Sequence, residues 1–170
     1  MNKKSIVLMV AGGGCFLVFA FFVLGGLGLL YVGGAQADRL SDEPLIANVS
    51  VQLDDIIHTQ VGDDFILAID VTNYGTDIRN LDSIDMETTY LEGVEVNKAE
   101  PRFQGFEHVV FMSEDFSTYD FQRDLTANST QTIKFYMTAA KAGTYTGYVD
   151  VCIDSAIDCN RYEATIVVEE

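Results

Sequence analysis

Two hydrophobic patterns divide this chain. Residues 6–32 run for 27 positions without a charge, whereas from Leu45 onward apolar and polar residues alternate. Ala47, Val49, Val51 and Leu53 alternate with Asn48, Ser50 and Gln52, the period of a half-buried strand. Phe65, Leu67, Ile69 and Val71 repeat the pattern and run into Asn73-Tyr74-Gly75, whose Asn and Gly suit a turn. Ile84 with Met86, Val94 with Val96, and Ile133-Phe135-Met137 mark three more strands. Residues 144–153 and 161–168 complete the set. About seven short strands separated by turns predict an all-β fold, an immunoglobulin-like antiparallel β-sandwich.

The last two of these strands permit a register to be written. If Cys152 lies opposite Cys159, antiparallel pairing puts Asp150 opposite Arg161, Gly147 opposite Ala164 and Val149 opposite Tyr162. One assumed pair thus yields a charge match and two interior matches, with both cysteines on the polar face. A Cys152–Cys159 disulfide is expected if the domain lies in an oxidising compartment.

The uncharged run is long enough to span a bilayer, which takes about 20 apolar helical residues. Lys3 and Lys4 precede it, and Asp38, Arg39, Asp42 and Glu43 follow it. The positive end is expected to stay in the cytoplasm. The chain then reads as a cytoplasmic stub (1–5), one N-terminal transmembrane helix (6–32), a linker (33–44) and an extracytoplasmic β-sandwich domain (45–170) at the cell membrane. Ala35-Gln36-Ala37 also fits the end of a secretory signal, although the apolar run exceeds the usual 7–15 residues. Ala11 and Cys15 are the best small-residue pair for self-association through the helix. A pilin-like surface filament or a larger membrane complex, packed through this Gly-rich helix, is the alternative architecture.

Charge narrows the partners. Setting Lys3 and Lys4 apart leaves 8 basic against 26 acidic residues from Asp38 onward, a net −18. Such a surface repels nucleic acid and anionic lipid headgroups. Asp54-Asp55 and Asp63-Asp64 would form a calcium site if they met in loops at one end of the sandwich, although no recognised calcium spacing is present. His58 and His108 are the only neutral-pH bases, and no nucleophile elbow, zinc-protease or phosphate-loop motif accompanies them. No enzyme activity, cofactor or resident metal is expected. Asn48-Val49-Ser50 and Asn128-Ser129-Thr130 are glycosylation sequons, and chance suffices to explain both.

Residues 97–124 resist periodic reading yet carry Phe103, Phe106, Phe111, Phe116, Tyr119 and Phe121. So much apolar surface in an insertion must pack on the sandwich or form a recognition face. An edge strand near residues 108–112 is expected, with Phe103, Phe106, Phe111, Phe116 and Tyr119 as the candidate interaction surface.

Three stretches resemble the surface β-sandwich domains of bacteria and archaea related to cell-adhesion (CARDB-like) repeats. They are Phe65 to Gly75, ending Val71-Thr72-Asn73-Tyr74-Gly75; Leu125 to Phe135; and Gly143 to Val151. The resemblance implies an exposed structural or protein-interaction module and names no ligand. The chain lacks Trp, so the buried Trp of antibody domains is missing, as is their inter-sheet disulfide. Tyr145 is placed to act as a tyrosine corner or as an ordinary core residue.

Overall fold

The computed structural model describes residues 46–111 and 113–170, the Phe111 side chain excepted. The expected stub, transmembrane helix and most of the linker lie outside the described residues. Among those described, no helix is long and apolar enough to cross a membrane.

Ten strands and one short helix are present among the described residues: β1 (Val49–Leu53), β2 (Ile56–Gln60), β3 (Asp64–Asn73), β4 (Arg79–Glu87), α1 (Thr88–Leu91), β5 (Val94–Glu100), β6 (Gly105–Phe111), β7 (Glu114–Leu125), β8 (Ser129–Ala139), β9 (Gly143–Ile153) and β10 (Cys159–Glu169). They form a four-stranded sheet in the order β1-β3-β8-β5 and a six-stranded sheet in the order β2-β10-β9-β4-β7-β6. The neighbours in the first sheet follow the A-B-E-D order of an immunoglobulin sandwich. β10, β9 and β4 stand as its G, F and C strands. β1 pairs antiparallel with β3 and β2 pairs parallel with β10, so the start of the domain touches both sheets.

This corrects the expected seven strands to ten. β2 is only five residues long with alternate positions exposed, too short to register as periodic. β7 is the longest strand, yet Asp115, Ser117, Thr118 and Asp120 interrupt its apolar residues on both faces. Its partner β4 shifts register between Leu81 and Ser83, opposite a positive φ at Gln122, so one alternation does not cover the strand.

The core lies between the sheets. Leu67, Ile69 and Val71 of β3 and Ile133, Phe135 and Met137 of β8 face Ile84 and Met86 of β4, Phe121 of β7 and Val149, Val151 and Ile153 of β9. All twelve have no exposed surface, as expected for the inward row of each strand.

Two glycines and one tyrosine fix local packing. A Cβ on Gly147 of β9 would fall 2.9 Å from the Tyr90 backbone nitrogen, so α1 lies directly on β9. The Tyr145 ring occupies the space a side chain at Gly93 would need. Its hydroxyl donates to the carbonyls of Lys141 at 3.0 Å and Ala142 at 3.2 Å, closing a tyrosine corner. Asn73 is fully buried, and its amide donates to the Asp77 and Leu125 carbonyls while its oxygen accepts from the Gly75 N–H.

Candidate functional site

The outer face of the six-stranded sheet carries a row of polar residues set by register. Arg161 of β10 lies opposite Asp150 of β9, which lies opposite Asp85 of β4, which lies opposite Thr118 of β7. The Arg161 guanidinium donates to both Asp150 oxygens, with Nε to Oδ1 at 2.9 Å and Nη2 to Oδ2 at 2.8 Å. It also reaches Glu114 at the start of β7, with Nη1 to Oε1 at 3.2 Å and Nη2 to Oε2 at 3.0 Å. Tyr148 and Phe116 lie against it, 4.8 Å and 5.6 Å from guanidinium carbon to ring centre. One arginine thereby neutralises two carboxylates, and those carboxylates raise its already high pKa.

Asp85 has no such partner. Burial pushes its carboxyl up to about 6, and the like charges of Asp150 and Asp120 act the same way against the opposing Ser83 and Thr118 hydroxyls. Its Oδ1 is buried without a hydrogen bond among the described residues. Its Oδ2 lies 3.5 Å from Cys152 Sγ. That sulfur is bonded to Cys159 and has no proton to give, so the contact is only van der Waals. Asp85 and the two cysteines converge as metal ligands would, but thiolate ligands require free thiols and these are joined. Phe116, Val109 and Ile157 wall a cleft of about 530 Å³ above Asp85, Thr118 and Asp150.

The opposite face of the same sheet is uncovered at one end, because six strands face only four. β6 lies at that end, paired with β7 alone. On its inner face Phe106 is 56% exposed and Val110 69% exposed. His108 sits between them with Nε2 2.7 Å from Asp115 Oδ1.

The expected edge strand near residues 108–112 is therefore present as β6, beginning at Gly105. The aromatic run divides, which corrects its reading as one surface. Tyr119 and Phe121 enter the core, where Tyr119 meets Phe135 at 5.1 Å between ring centres. Phe116 is buried on the outer face, below Arg161. Phe103 is half-buried against Tyr119, and Phe106 meets the Tyr119 ring at 5.1 Å, tilted by 45°, while staying exposed. Of the four surface candidates whose side chains are described, Phe106 remains well exposed, joined by Val110, which aromatic content alone did not single out; the Phe111 side chain is not among those described.

The Cys152–Cys159 disulfide is present, and the whole register inferred from it holds: Asp150 faces Arg161, Gly147 faces Ala164 and Val149 faces Tyr162. Asn48 and Asn128 are both exposed at positive φ, 63° and 52°. The acidic pairs do not meet. Asp54-Asp55 precede β2 and Asp63-Asp64 follow it, about 17 Å apart along a five-residue strand. His58 and His108 stand on β2 and β6, the two opposite edges of the six-stranded sheet.

No protein-family model matches the chain, and no curated protein sequence matches it. Solved structures with similar strand arrangements include a family 123 glycoside hydrolase from Clostridium perfringens, 9% identical, covering 71% of this chain and 27% of that one, with a TM-score of 0.45. A non-cellulosomal cohesin from the archaeon Archaeoglobus fulgidus is 12% identical over 73% of this chain and 93% of its own, with a TM-score of 0.39. The human CEP192 PapD-like domain is 12% identical over 75% and 88%, with a TM-score of 0.38. The strand order itself is that of an immunoglobulin-like sandwich.

Proposed function

We propose that this chain is a non-enzymatic, membrane-tethered surface domain of the adhesion-repeat type, held outside the cytoplasm, and that it makes protein contacts through the β6 edge. The observation that carries this reading is β6 itself. Its outer backbone edge is unpaired among the described residues, and it presents Phe106 and Val110 beside that edge. Exposed strand edges add a strand from a partner, with backbone hydrogen bonds giving affinity and alternate side chains giving specificity. The uncharged run after Lys3-Lys4 supports the tether, and the disulfide supports an oxidising compartment.

The test is a photo-crosslinking residue in place of Val110, in the full chain in its native membrane, with a second chain labelled at Thr132 on β8. Protein adducts at 110 and none at 132 are expected. Equal labelling at both, or none at 110, overturns the assignment. Release of the chain from membranes by alkaline carbonate would remove the tether.

The cleft favours a second reading, a small-ligand module. A buried carboxylate with no cationic partner beneath apolar walls suits an alkylammonium head on an aliphatic stem. Butylammonium raising the melting temperature at pH 7.5, with no effect on Asp85→Asn, would support it.

A further inference from the structure

We infer that the partner of the β6 edge is β6 of a second copy of this chain, paired antiparallel about a two-fold axis at His108. The inference rests on β6 being the contact strand and follows from which backbone groups are free. The β6–β7 hairpin closes on Phe111 opposite Glu114, with two residues between. In a hairpin closed this tightly the closing pair is hydrogen-bonded, and bonding alternates from there. Phe111, Val109, Glu107 and Gly105 therefore bond β7, and the N–H and C=O groups of Phe106, His108 and Val110 point away from it.

An antiparallel pairing centred on His108 uses all three free residues at once. His108 lies opposite His108 of the second copy, and Phe106 lies opposite the second copy's Val110 on both sides of the axis, giving about six backbone hydrogen bonds. Centring on Phe106 or Val110 leaves the other two free residues opposite positions outside β6 and about two bonds, and centring on Glu107 or Val109 leaves about four bonds. The register with most hydrogen bonds is thus also the one that sets the two exposed apolar residues against each other.

The remaining edges lack the opportunity. β1 and β2 are five residues each. β5 carries Lys98, a register break between Val96 and Lys98, and Pro101 just beyond its end, the usual means of blocking edge pairing. β6 carries no Lys and no Pro and pairs with β7 without a register break. Net negative charge on both copies opposes association, so pairing strengthens with added salt, whereas a basic partner would bind less tightly in salt. Tethering to one membrane raises the local concentration of copies and offsets the small size of the interface.

The experiment uses the full chain in membranes in a Cys15→Ser background. His108→Cys is oxidised beside Glu95→Cys, an exposed position on β5, and separately Phe106→Cys is mixed with Val110→Cys. Several-fold more disulfide-linked dimer at position 108 than at 95, rising with salt, is expected. In the mixture, 106–110 dimers should exceed the 106–106 and 110–110 species. Dimer at 108 no greater than at 95, or a mixture with no preference, overturns the self-pairing. If position 110 still labels a different protein in that case, the contact role of β6 stands with another occupant. If it labels nothing, both fall.

Discussion

Two hairpins of one sheet, β9–β10 and β6–β7, show what a strand needs besides alternation. Both are antiparallel, and both place apolar residues on the inner face. In β9–β10 those residues meet the other sheet, so Val149, Val151, Ala164 and Ile166 are exposed by 1% or less. In β6–β7 the inner face of β7 is covered at Tyr119 and Phe121, and that of β6 is not. On the outer face, the β9–β10 pair is cross-linked twice, by the Asp150–Arg161 ion pair and by the Cys152–Cys159 bond. One hairpin is built into the body, and the other extends past it. If that contrast is right, breaking polar links should be costly in the first and cheap in the second. The largest effect is expected at Arg161. Arg161→Met strands Asp150, which is 8% exposed, and should lower unfolding free energy in urea by about 3 kcal/mol. Adding Asp150→Asn should recover part of that loss, since the stranded charge is then gone. Separating His108 from Asp115, both well exposed, should change stability by about 0.5 kcal/mol or less.

Removing the staple comes next. Cys152→Ala with Cys159→Ala frees a seven-residue separation and should reduce stability by about 2.5 kcal/mol. Amide exchange can check where the loss falls. Protection should weaken first at residues 150–161, while the β6–β7 pairing keeps its rates. A uniform loss across both hairpins would mean that they unfold as one unit and would blunt the contrast.

The same contrast explains what could be read from sequence. The β9–β10 register was legible because a cysteine pair, a charge pair and matched interior residues all demanded one alignment. β3 and β8 were legible because each has one buried row and one polar row. β6–β7 was not. Phe116 and Tyr119 look equivalent in sequence, yet lie on opposite faces of β7, one under a guanidinium and one in the core. Their exposure depends on how far the four-stranded sheet extends, a property of neither residue. The Asp85 cleft was equally hidden, because Asp85, Thr118 and Asp150 come from three strands distant in sequence. The acidic pairs were misleading for the converse reason: nearness in sequence placed them at opposite ends of β2.

Asp85 gives a smaller effect with a distinctive pH signature. Its carboxyl is raised to about 6 mainly by burial, so between about 4 and 6 the folded chain binds more protons there than the unfolded chain. Its contribution therefore makes stability fall as pH rises through that window. Asp85→Asn should leave stability at pH 4 nearly unchanged and raise it at pH 8 by about 2 kcal/mol, measured from urea midpoints. An unchanged pH slope in the variant would mean that Asp85 stays solvated, and the cleft would lose its central feature.

The sharpest test of coverage compares one small substitution at two positions. Val→Thr keeps shape and strand preference and exchanges one methyl for a hydroxyl, so its consequence depends on whether water or another polar group can reach that hydroxyl. At Val149, fully buried on the inner face of β9, the hydroxyl enters a dry interior and should cost about 2 kcal/mol. At Val110, on the inner face of β6 and 69% exposed in the single chain, water satisfies it and the change should stay within about 0.5 kcal/mol in dilute solution, where β6 is unpaired. Equal costs at the two positions would mean that something covers β6 in solution. Dilution then separates the candidates: a second copy dissociates as the chain is diluted, and the cost at Val110 shrinks with it, whereas a cover supplied by the chain itself leaves that cost constant.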